Sequence, residues 1–256
     1  MKIIQKDKTY FILISDLDSE SSGISILFNS IIQTNLLSFA FINKNQLHFH
    51  ADSVVSLKEY INKNKNNNTN NTNNTNNTNN TNNIDINLAI LLFFSLGKQI
   101  YCLEQMDYTL TGFGQDFNDI IVINQCYFFY INTLYLMPFN KSTNKNKNKN
   151  NKDLIYFLHP FEKPYFSSPE LLNISTLPAV ISIKSVYYSL GCLIIYFMFD
   201  VFILKGNDVI NDVELHTILK PIYGTKLYWA LLRCLKVDIN SDIDINSDID
   251  RSLLYI

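Results

Sequence analysis

His48 and His50 are the first pair in the chain able to do metal chemistry, two positions apart in QLHFHA. Side chains alternate along a strand, so both imidazoles would leave one face. A transition-metal site needs three or four such ligands. No others stand nearby, and the pair reads as ordinary strand residues. The four cysteines, Cys102, Cys126, Cys192 and Cys234, form no C-x-x-C pair and sit among apolar residues. They read as reduced, buried thiols of an intracellular protein. Gly is scarce, at 7, and no G-x-G-x-x-G occurs. A glycine-built phosphate cradle is therefore absent from the sequence.

The elements that must carry any site are legible from periodicity. TYFILI at 9–14 predicts a strand. After the turn signals of 15–23, ISILFNSIIQ at 24–33 predicts an amphipathic helix. LLSFAFI at 36–42 and QLHFHA at 46–51 predict two strands joined at Asn43-Lys44-Asn45. Asp52 or Ser53 would cap a short helix, SVVSLKEYI. INLAILLFFSLGKQIYCLE at 86–104 predicts a buried helix, and 109–118 a loop. IIVI at 120–123 and YFFYI at 127–131 predict strands around Asn124-Gln125. After the long apolar segment of 182–204 come Val213–Leu219 and then a helix expected over 227–235.

Two tracts interrupt this pattern. Residues 62–83 and 140–152 are Asn-rich, with Thr or Lys. They have almost no apolar area to offset ordering entropy and read as disordered loop insertions. The N-x-T triplets within 67–81 read as repeat, because the short run Tyr10–Ile14 makes a poor signal peptide. INSDID occurs at 239–244 and again at 245–250, a tandem copy that a loop tolerates.

The longest apolar segment runs from about Ser182 to Leu204. It either spans a bilayer or lies inside a core. Lys184 and Asp200 lie near its ends, and Ser185, Ser189 and Gly191 break its apolar surface. Its aromatic rings are spread along the run instead of forming belts. These features favour a buried helix; the alternative is an anchor at 182–204 with 86–103 as a second segment. The composition supports a core: 256 residues, 47% hydrophobic and 17% charged, with net charge -2. No basic excess points to nucleic acid.

Taken in order, these elements resemble the eukaryotic-like protein kinase fold, most clearly over 84–256. Ser168-Pro169-Glu170 is similar to that family's A-P-E motif. SVYYSLGC at 185–192 resembles the D-x-W-S-L-G-C that opens its central helix. Arg233-Cys234-Leu235 and then Arg251 resemble its closing C-L-x-x-D-P-x-x-R. Divergent kinase-like proteins of large DNA viruses look most similar. The resemblance implies an α+β fold. A truncated β-rich N-terminal lobe would occupy 1–52, and a mostly helical C-terminal lobe 53–256. It also implies an ion pair between Glu170 and Arg251, since a buried carboxylate needs a partner.

The family's chemistry needs a strand lysine, a catalytic-loop Asp, an Asn that binds Mg²⁺ and the Asp of D-F-G. Against Ile120-Ile121-Val122, Asp119 takes the place of that Asn. Gly114 then stands where the catalytic Asp belongs, and Asn132 where D-F-G begins. Asp116 is two residues out of register. Lys8 precedes a strand outside any V-A-I-K-like context. Asp119 with Asn132 would make a poor hard-cation site, with one carboxylate and one amide. No catalytic, cofactor-binding or metal residue is therefore assigned. The expectation is a catalytically inactive kinase-like protein (a pseudokinase) that binds another protein in the cytoplasm, of the host if viral, without cofactor. The alternatives are an atypical serine/threonine kinase using ATP and Mg²⁺ through Asp116 or Asp119, and a membrane-anchored protein.

Overall fold

The computed structural model describes residues 1–14, 22–69, 86–141, 153–205, 208–209 and 211–235. The fold is mixed α+β. It comprises two compact units: Met1–Gln99 with Asp116–Thr133, and Ile100–Gln115 with Leu134–Ile256. Residues 53–99 and 116–133 thus group with the N-terminal strands, and the division falls within a helix rather than at 52/53.

In the first unit, β1 (Lys2–Gln5), β2 (Tyr10–Ile14), β3 (Phe41–Asn43) and β4 (Gln46–His50) form an antiparallel sheet in the order β1-β2-β4-β3. Helix α1 (Ser22–Gln33) lies between β2 and β3 in the chain. The predicted strand 36–42 is shorter than expected. Pairing begins at Phe41, after a bend in which Phe39 takes a φ of 55°. Lys44 and Asn45, at φ 47° and 58°, make the tight turn into β4. Two left-handed residues match the twist of a hairpin. β1 is an additional strand, paired to β2 from Lys2↔Ile14 to Gln5↔Phe11.

The short helix expected at 53–61 begins later. β5 (Val54–Ser56) pairs with β7 (Ile120–Ile123) first, and α2 (Leu57–Thr69) follows. The Ser56 hydroxyl accepts the Glu59 N–H at 3.2 Å and caps the helix. α2 enters the Asn-rich tract, so 62–69 is helical and not disordered as expected. A nucleated helix needs only tolerable residues to propagate. Residues 70–83 of that tract lie outside the described residues.

α3 (Ile86–Gln105) is the expected long helix. Buried Ala89, Leu92, Phe93, Leu96 and Ile100 recur at helical spacing along it. Among the described residues, it is the one helix long and apolar enough to cross a membrane. β6 (Tyr108–Leu110) starts what was expected as loop. β7 and β8 (Tyr127–Tyr130) form the predicted hairpin, turning through left-handed Asn124 and Gln125.

Gln99, inside α3, holds this hairpin's free edge. Its Oε1 accepts the Tyr130 N–H, and its Nε2 donates to the Tyr130 carbonyl, each at 2.9 Å. Nε2 also reaches Ser30 Oγ of α1 at 3.3 Å. Ile131 N–H bonds the Asp119 carbonyl, so the facing pair Ile120↔Tyr130 points its Tyr130 amides away from β7. The glutamine amide stands in for a missing strand.

In the second unit, β9 (Leu136–Pro138) pairs with β6, and β10 (Leu154–Phe157) pairs with β11 (Ala179–Ser182). The short helix α4 (Pro169–Leu172) lies between β10 and β11 in sequence. The central apolar segment is helical only over α5 (Ser185–Phe199), shorter than 182–204. Asp200, at φ 55°, ends it. Of its residues, Tyr196 and Phe199 alone are not buried, as befits a helix enclosed on all sides. Gly191 faces Cys234 and Leu235, where a β-carbon would sit 3.2 Å and 3.1 Å from their side chains. β12 (Leu204–Lys205), β13 (Asp208–Val209), α6 (Asp212–Leu219) and α7 (Lys226–Leu235) complete the described chain. The tandem hexapeptides, Arg251 and 142–152 lie outside the described residues. Asn140, expected to open the second insertion, instead bridges to Leu154.

Candidate functional site

The loop from Thr111 to Asp119 carries the acids that the motif alignment singles out. In the second unit, Thr111 N–H bonds the Tyr135 carbonyl at 2.9 Å, and Phe113 exchanges two backbone hydrogen bonds with Phe166. Gly112 makes that approach possible. A β-carbon there would collide with the Phe166 carbonyl and sit 2.7 Å from Pro164. Gly114, half-buried, follows with no side chain to act as a base.

Asp116 opens a 3-10 turn over Phe117–Asp119. Its Oδ1 accepts the Asn118 N–H at 3.0 Å, and its Oδ2 accepts Asn118 Nδ2 at 3.1 Å. The Asn118 N–H is the main cause that holds this carboxyl below its ordinary range; burial opposes, and the Asn118 amide and Lys58 assist. Lys58 Nζ lies 3.8 Å away, with both side chains more than half exposed. Such a pair adds little stability. Asp116 is thus an ionised turn-capping acid whose two oxygens are engaged locally.

Asp119, half-buried, shows the opposite behaviour. Burial raises its carboxyl above the ordinary range. A hydrogen bond from Asn132 opposes that, the Asp116 charge adds to it, and the N-terminal ammonium opposes it weakly. The structure therefore brings together Asp119 and Asn132, with Asp116 close enough to be felt. One carboxylate and one amide fall short of the six or so oxygens a hard cation takes. No group of three His, Cys, Asp or Glu gathers among the described residues.

The other candidates lie elsewhere. Lys8 is exposed in the turn between β1 and β2, its N–H on Asp7 Oδ1 at 2.6 Å. His48 is buried, its Nδ1 2.8 Å from the Tyr10 hydroxyl and its ring stacked on Phe41 with centroids 4.9 Å apart. His50 is exposed beside Tyr10. Glu170 sits half-buried in the first turn of α4, behind the Ser168 cap. Its expected partner, Arg251, lies outside the described residues. Cys102, Cys192 and Cys234 are buried free thiols, but Cys126 is half-buried. Burial pushes the Cys234 thiol up to about 12.

Sequence reasoning missed Gln99 and Lys58. Nothing in spacing distinguishes a buried Gln that pairs backbone from a solvent-facing one. Lys58 could have been flagged only by knowing that α2 lies beside the 3-10 turn. A comparison with models of known protein families finds no match, and one with curated proteins finds none either.

Proposed function

We propose that this chain is a non-catalytic protein kinase-like scaffold whose role is to bind another protein. The observation that carries the reading is the interior of the first unit. Phe11, Leu13, Phe28, Leu47 and Phe49 from the sheet and α1 join Ile121, Ile123, Phe129 and Ile131 of the β7–β8 hairpin in one buried apolar cluster. The resemblance implies a nucleotide between these same elements. Its phosphates would need cations there, and β2, α1, β4, β7 and β8 carry no Lys or Arg.

The order of elements supports the family side of the proposal. A helix is inserted in a small antiparallel sheet, a hairpin follows the acid-bearing loop, and an enclosed apolar helix follows the Ser168-Pro169-Glu170 turn. In the family, a lysine on the strand before the inserted helix pairs with a glutamate on that helix. Here the strand is YFILI and the helix SGISILFNSIIQ, with neither charge. Asp116 is spent on its own turn. Each missing charge-stabilising group is commonly worth several kcal/mol of barrier. Three together leave little phosphoryl-transfer capacity.

The test is a thermal-shift titration with ATP and Mg²⁺, alongside a radiolabel-transfer assay on a general acceptor. The expected result is no shift and no transfer. Phosphate transfer abolished by Asp116→Ala would replace this reading with an atypical kinase.

A further inference from the structure

β10 and β11 form a sheet of two strands in the second unit, so each strand has an outer edge. On the β10 side, Asn140 exchanges backbone hydrogen bonds with Leu154, at 3.1 Å and 3.4 Å. The N–H and C=O of Leu154 therefore point away from β11. Facing residues of an antiparallel ladder alternate between bonded and non-bonded pairs. Leu154↔Ser182 is thus a non-bonded pair, and so is Tyr156↔Val180. The Ile183 N–H on the Asp153 carbonyl, at 3.2 Å, fits the same alternation. Val180 and Ser182 consequently turn their N–H and C=O groups to the outer edge of β11. Neither finds a backbone partner there among the described residues. On β10, Asn140 fills the Leu154 position; on β11 both positions stay open.

The faces of this sheet also differ. Ile155, Phe157 and Ile181 join Phe139 and Leu171 in a buried cluster. On the other face, Tyr156 and the facing Val180 are 44% and 46% exposed. The strand AVIS has no charge, proline or left-handed residue. Charges, prolines and bulges are the devices by which edge strands refuse an added strand.

We infer that the β11 edge takes up an extended, uncharged segment of a partner protein as a third strand. The open groups at Val180 and Ser182 call for another backbone, and an added strand supplies up to about four hydrogen bonds to them. Its residue opposite Val180 lies on the exposed face and is apolar, to pack on that side chain. A second copy could pair the same edges about Ile181. Four strand residues offer far less than the roughly 800 Å² per partner of a stable dimer, whereas a slender segment reaches the edge without any flanking surface to fit. The inference gives the proposed binding role its surface and rests on that role.

The full chain is titrated with a short fluorescein-labelled peptide of alternating Val and Thr, followed by anisotropy. A counterpart with every amide N-methylated keeps the side chains and removes the donors. The first peptide should bind saturably and slow amide exchange at Val180 and Ser182; the methylated one should not bind. Val180→Pro should weaken binding about tenfold or more with an unchanged far-UV spectrum, because it removes an outward donor and no bond of the ladder to β10. A flat titration, equal binding of the methylated peptide, or unchanged affinity in Val180→Pro would each overturn the inference. So would a concentration-dependent dimer in sedimentation that Val180→Pro abolishes, because the edge would then belong to a second copy. A flat titration leaves the nucleotide result standing, and phosphate transfer would sink the non-catalytic reading without touching the titration.

Discussion

Replacing Gln99 with Met should be among the most damaging single changes in the first unit. Gln99 is 1% exposed, and its amide serves both the N–H and the carbonyl of Tyr130. Met keeps the length and nearly the volume of the side chain, so little cavity or overpacking arises. The change is then the loss of two hydrogen bonds at a buried strand edge. Each buried backbone group stripped of its partner costs about 1–3 kcal/mol. Burying a thioether in place of an amide returns about 1 kcal/mol. The net expectation is a loss of about 1–5 kcal/mol, a large share of the roughly 5–15 kcal/mol that holds a domain together. Ser30 moderates the loss, because its hydroxyl keeps its own bond to the Leu27 carbonyl. Urea unfolding followed by far-UV circular dichroism measures it as a lower midpoint at unchanged slope. Hydrogen exchange at the Tyr130 amide should accelerate along with it. A loss under about 0.5 kcal/mol, with Tyr130 exchange unaltered, would show that water or a neighbour replaces the amide at no cost.

Two further outcomes are expected. Gly112→Ala should lower the melting temperature by the equivalent of about 1–3 kcal/mol, because backbone must move away from the Phe166 carbonyl; an unchanged melt would mean the loop is not packed as described. Asp119→Asn should stabilise the protein at neutral pH, because burial raises the folded-state carboxyl above its unfolded value. The folded state then binds the proton first, so wild-type stability rises as pH falls from that raised value toward the ordinary value of 3.8. The advantage of Asn should shrink over that window in pH-dependent urea titrations, and an advantage that grew toward acid would reverse the assignment.

Long, strongly periodic segments were readable: α1, α3, α7 and the two strands of the β7–β8 hairpin fall within a few residues of their predicted spans. Shorter pieces were not. β1, β6, β9, β10 and β11 are three or four residues of ordinary composition whose strand character comes from the partner each one pairs with. α2 was misplaced because Val54–Ser56 prefers a ladder with β7 to the first turn of a helix. The loop chemistry was legible as residue types, since Asp116, Asp119 and Asn132 all stood out. Their charge states were not, because capping of one acid and burial of the other depend on a turn no spacing announces.

Asn124, at the tip of the β7–β8 hairpin, has a reach that bears on how this protein can be dissected. Its Oδ1 accepts the N–H of Asp52 at 2.7 Å and of Ser53 at 3.3 Å, and its own N–H bonds the Ser53 carbonyl at 3.0 Å. The stretch expected to part the two lobes is therefore riveted by a residue encoded far downstream. A fragment ending at Asp52 would carry the sheet but lose the rivet that fixes its exit strand, and a fragment starting there would leave the hairpin tip clasping nothing.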